Sequence, residues 1–72
     1  MDLDGLVRTV VESAGLELVE VSFGREPGRR VLRVSVDRDG GVDLDAIAEV
    51  NRSLARRLDL EGFDPGPYSL EV

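Results

Sequence analysis

Histidine, cysteine, lysine and tryptophan are all missing from this 72-residue chain. Each absence excludes something. Without Cys there is no disulfide and no thiolate metal site. Without His there is no imidazole ligand and no side chain whose ordinary pKa lies near neutrality. Ser13, Ser22, Ser35, Ser53 and Ser69 therefore have neither a His nor a Lys to activate a hydroxyl as a nucleophile. Aromatics are scarce, two Phe and one Tyr, which leaves few platforms on which bases could stack. No apolar run approaches the roughly 20 residues that span a bilayer, and the opening MDLDGLVRTVVESAG is acidic where a secretory signal begins basic. The expectation is one small, marginally stable, non-catalytic domain in the cytoplasm. It should carry no cofactor, metal, small-molecule substrate or membrane partner.

What is present is charge, arranged in blocks. The net charge is −6. Acids dominate residues 1–24 (Asp2, Asp4, Glu12, Glu17, Glu20 against Arg8), 39–51 (Asp39, Asp43, Asp45, Glu49) and 59–72 (Asp59, Glu61, Asp64, Glu71). Between them lie two basic blocks, Arg25, Arg29, Arg30, Arg33 and Arg38 with two acids, and Arg52, Arg56 and Arg57 with none. Segregated charge can steer a partner into one orientation, although a mixed, solvated surface is the plainer outcome. Arg is the side chain suited to planar, bidentate contact with phosphate or carboxylate.

Periodicity predicts five elements in the order α-β-β-α-β. Leu3, Leu6, Val7, Val10, Val11 and Ala14 form an apolar helical stripe, with Asp2 or Asp4 as cap and Gly15 as the stop. LELVEVSF, residues 16–23, is β-rich. Val19, Val21 and Phe23 share one side and Leu16, Leu18, Glu20 and Ser22 the other, so a bulge belongs near Leu18 and Val19. Phe23 reads as core. Gly24 to Gly28 reads as a turn to a second strand, Val31 to Asp37, paired antiparallel with the first. In it Leu32, Val34 and Val36 point one way and Val31, Arg33 and Ser35 the other. Asp39-Gly40-Gly41 breaks that strand. Asp43 caps a helix ending near Asp59, with Asp45 in its first turn and a stripe of Leu44, Ile47, Ala48, Leu54, Ala55 and Leu58 that also carries Asn51. Gly62 and Pro65-Gly66-Pro67 read as a rigid loop before a third strand at Tyr68, Leu70 and Val72. The fold class is α+β, two layers, a three-stranded sheet with both helices on one face. A right-handed crossover should join the second and third strands. The order of the strands stays open.

Motifs for chemistry fail on counting. Asp37 to Asp43 suggests a calcium loop, but its sixth position is Val42 where Gly is needed and its twelfth is Ala48 where a bidentate Glu is needed. No phosphate-cradling glycine motif occurs. The candidate contact residues are Arg25, Arg29 and Arg30 at the hairpin tip, with Arg52 and Arg56 one turn apart on the second helix. Their partner could be RNA phosphate, or the acidic domain as a whole could face a basic protein such as a ribosomal protein.

The ordered set Gly15-Leu16-Glu17-Leu18-Val19-Glu20-Val21-Ser22-Phe23, Leu32-Arg33-Val34-Ser35-Val36-Asp37, Gly40-Gly41-Val42-Asp43-Leu44-Asp45, Ala48-Glu49-Val50-Asn51-Arg52-Ser53-Leu54, Leu58-Asp59 and Tyr68-Ser69-Leu70-Glu71-Val72 resembles the N-terminal domain of the bacterial ribosome maturation factor family RimP. The likeness covers essentially the whole chain. It implies a non-enzymatic assembly factor that binds the free 30S ribosomal subunit, through ribosomal protein or 16S rRNA, and assists its maturation. It implies a domain similar to a type II KH fold but without the KH G-x-x-G clamp, and no G-x-x-G occurs here. The alternative is a KH-like module contacting ribosomal RNA through its arginines. The resemblance also implies a second, SH3-like domain following the third strand. This sequence stops at Val72, so it is expected to be the first domain alone, and a monomer.

Overall fold

The computed structural model describes residues 2–63 and 68–72. The elements are α1 (Leu3–Ser13), β1 (Glu17–Glu26), β2 (Arg29–Asp37), α2 (Leu44–Leu60) and β3 (Tyr68–Glu71). They form the expected two-layer α+β domain. The sheet order is β1-β2-β3, with β1 antiparallel and β3 parallel to β2. A parallel neighbour needs a crossover, and α2 supplies it. The Pro65-Gly66-Pro67 loop lies outside the described residues.

Local chemistry accounts for the element ends. Asp2 accepts a hydrogen bond from the Gly5 N–H at 3.1 Å, and Asp43 accepts one from the Ala46 N–H at 2.7 Å. Each satisfies an amide that has no partner inside its helix. Both helices close with the same pair of backbone bonds. In α2 the Phe63 N–H donates to the Leu58 carbonyl at 3.0 Å and the Gly62 N–H to that of Asp59 at 3.1 Å. This closure needs a left-handed residue, and Gly62 takes φ +75°. It turns the chain back so that Phe63 lies against the sheet.

The core is Val7 and Val11 of α1, Leu16 just before β1, Leu32 and Val34 of the sheet, and Val50, Leu54 and Leu58 of α2. Two sequence expectations shift here. The buried row of α2 is Val50, Leu54 and Leu58, while Leu44, Ala48, Asn51 and Ala55 are exposed, Leu44 at 82%. Leu54 and Leu58 are buried as expected, and the centre of the buried side is turned by about 60° from that of the expected stripe, toward Val50. This puts Asn51 in water, where it needs no buried partner. Val19 is the bulge: register shifts between Leu18 and Glu20. Val19 is left unpaired and exposed, and does not share the side of Val21 and Phe23.

The hairpin is also longer than expected. Gly24, Arg25 and Glu26 belong to β1, and Glu26 pairs with Arg29. Only Pro27 and Gly28 make the turn. Gly28 has φ +81°, the conformation that follows Pro in a type II turn, so two residues suffice where five were expected.

Candidate partner interface

Strand alternation decides where each hairpin arginine goes. The side facing the helices carries Leu32 and Val34, hence also Arg30, and across from them Val21, Phe23 and Arg25. The outer side carries Arg29, Val31, Arg33 and Ser35, with Ser22, Gly24 and Glu26 opposite. Arg25, Arg29 and Arg30 therefore do not form one cluster. Arg25 and Arg30 are direct cross-strand neighbours, whereas Arg29 points to the other side and pairs with Glu26 at 3.9 Å.

At its hairpin end the outer side pairs its own arginines with acids. Arg33 donates to Glu26 at 2.8 Å and to Glu71 of β3 at 3.2 Å. Those two carboxylates raise the Arg33 pKa, Glu26 contributing the largest effect through its hydrogen bond. The reach from Arg33 to Glu26 crosses the row formed by Gly24, Val31 and Ser69. Gly24 has no side chain to obstruct it. The ion pair thereby closes over Val31, which is 1% exposed although it lies away from the helices.

At the end of the helix-facing side, the three aromatics of the chain meet. Phe63 packs edge-to-face with Phe23 at 5.7 Å and with Tyr68 at 5.3 Å between ring centroids. Tyr68 pairs in register with Arg30. Phe23 stays 38% exposed, so the expectation of a buried core residue is corrected. It sits beyond the area that the helices cover. A cleft of about 300 Å³ is lined by Phe23, Gly24, Arg25 and Arg30. The aromatic grouping was hidden in the sequence, because Phe23, Phe63 and Tyr68 lie on three elements and only the Gly62 turn and the strand register join them.

The helix arginines are elsewhere. Arg52 donates to Glu49, and this bond lowers the Glu49 pKa, with the Arg52 charge as the next contribution and Arg56 a smaller one. Arg56 lines a second cleft of about 420 Å³ between α1 and α2, with Thr9, Ser13, Ser53, Arg57 and Leu60. Arg52 is not part of that lining. Among the described residues no group of acids is arranged to hold a metal ion, and no helix is long and apolar enough to cross a membrane.

Fold and surface together define a small α+β domain whose distinctive chemistry is a cationic, aromatic-edged cleft beside a core in which, among the described residues, no polar side chain is buried. The sequence model of the family described as RimP N-terminal domain matches residues 6–72. The chain belongs to that family. A protein from Frankia casuarinae called Ribosome maturation factor RimP is 48% identical, over 82% of this chain and 24% of its own length. The chain thus spans about a quarter of that curated relative.

Proposed function

We propose that this chain is the docking domain of a ribosome assembly factor. It binds the free 30S ribosomal subunit in the cytoplasm and assists its maturation without catalysing a reaction. The observation that carries this reading is membership of the RimP N-terminal family together with the relative's name. A sequence without His, Cys or Lys supports the non-catalytic part. In the full-length protein the domain precedes an SH3-like barrel. Co-sedimentation with immature 30S particles tests the reading. The domain should travel with the particles at low salt, and its absence from them there would sink the idea.

The second reading is an RNA-binding module acting through Arg25, Arg29, Arg30, Arg52 and Arg56. As a single five-residue surface it loses support, since Arg29 and Arg52 are engaged by Glu26 and Glu49 and Arg56 lines a different cleft. What favours a smaller version is the opposition of Arg25 and Arg30.

A further inference from the structure

Six of the nine arginines have a carboxylate within ion-pair distance: Arg8, Arg29, Arg33, Arg38, Arg52 and Arg57. Among the described residues Arg25, Arg30 and Arg56 have none. That is unexpected in a chain with 15 acids. Arg25 and Arg30 also stand directly opposite each other, and like charges in that position destabilise a strand pair. Glu26 is the next residue along, but the pleat sends it to the outer side, where Arg29 and Arg33 take it. The hairpin therefore sets two arginines opposite each other along one cleft, without a counter-charge from its own strands. An anion between them would remove the repulsion.

Phe23 defines which anion. It lies two residues from Arg25 on the same side, partly exposed, in the same cleft. Phe63 touches it edge-to-face and fixes the ring at the cleft wall. A pair of planar cations matches the oxygens of one phosphate. An aromatic ring beside them matches the base attached to it, since unpaired bases stack on such rings. An acidic peptide would satisfy the arginines and leave the ring without a partner.

We propose that this cleft holds one nucleotide of single-stranded RNA, its phosphate between Arg25 and Arg30 and its base against Phe23. The inference rests on the reading that the domain docks on the 30S subunit, and it names the chemistry of that contact. The negative charge of the rest of the domain keeps the affinity modest and sensitive to salt.

The test is fluorescence anisotropy of a labelled oligouridylate of about eight nucleotides, titrated across salt, beside co-sedimentation with 30S particles. Circular dichroism confirms the fold of each variant. The wild-type chain should bind. Arg25→Ala and Arg30→Ala should each reduce the slope of log affinity against log salt by about 0.7. Phe23→Leu keeps an apolar side chain against Phe63 but removes the stacking surface, and should weaken binding about tenfold. Arg29→Ala and Arg52→Ala should bind like wild type. The cleft assignment is overturned if the wild-type chain ignores the oligonucleotide, or if the Arg25 and Arg30 variants bind as it does. Sedimentation with 30S particles without oligonucleotide binding rejects the RNA cleft and leaves docking standing. Oligonucleotide binding that depends on Arg25 and Arg30 without sedimentation supports the cleft and rejects docking on 30S.

Discussion

Replacing Leu54 by Ala and, separately, Leu44 by Ala measures which side of α2 faces the sheet. Leu54 is 0% exposed and sits among Val7, Val11, Leu32 and Leu58 in the core cluster. Leu44 is 82% exposed at the first turn of the same helix. The chemistry removed is identical, so the difference reports burial alone. A buried Leu→Ala change costs about 2–5 kcal/mol, from lost transfer energy and the cavity left behind. A domain of this length has about 4–11 kcal/mol in total at the usual stability per residue. Leu54→Ala thus removes much of the stability. At about 3 kcal/mol it lowers Tm by roughly 12–24 °C, taking about 4–8 °C per kcal/mol for a small domain. Leu44→Ala should stay within about 0.5 kcal/mol of wild type, as exposed substitutions do. Urea melts followed by far-ultraviolet circular dichroism read both, with the midpoint moving and the slope unchanged. Equal losses for the two variants, or a loss below about 1 kcal/mol for Leu54→Ala, would refute the orientation of the helix.

Asp43→Ala should destabilise the domain by about 1 kcal/mol, because the Ala46 amide loses the side chain that caps it, and Asp43→Ser should restore most of that. Identical urea midpoints for wild type and Asp43→Ala would show the cap to be idle. Arg52→Ala should raise the Glu49 pKa toward its ordinary value of 4.5, read by carboxyl ¹³C chemical shifts. The folded-state pKa is the lowered one, so the stabilisation from this pair is present above about 4.5 and is lost as pH falls through the lowered folded value. Wild type and Arg52→Ala should therefore converge in stability as the solution is acidified through that window. An unshifted Glu49 titration in Arg52→Ala would remove the basis for it.

The features legible in the sequence were those fixed by near neighbours along the chain. Asp43 before an apolar run, Gly15 after one, and the change of side at Leu18 and Val19 each express a local backbone requirement. All three stand where expected. The phase of α2 is a tertiary matter. Leu54 and Leu58 are buried in either of two phases, one that adds Leu44, Ala48 and Ala55 and one that adds Val50, and only the fit against α1 and the sheet chooses between them. The presence of Asn51 in the first phase was the available sign, since a buried amide needs partners that no facing element offers. For the candidate site, the arginines were visible as a basic block, but adjacency in sequence concealed their separation. Arg29 and Arg30 are neighbours in the chain and lie on opposite sides of the sheet.

That separation explains why so acidic a domain can present a cationic cleft at all. In a strand, the residue type fixes the charge and the pleat fixes its destination. The outer side receives Glu26, Arg29 and Arg33 from the hairpin and Glu71 from β3, and these satisfy one another over Val31. The helix-facing side receives Arg25 and Arg30 and no hairpin acid. A carboxylate at position 25 would instead have lain on the helix-facing side, directly opposite Arg30, and neutralised it internally. Two surfaces of different electrostatic character thus follow from the hairpin tip. On one the arginines are paired with acids. The other keeps its charge for a partner, at the point where the aromatic rings also come to the surface.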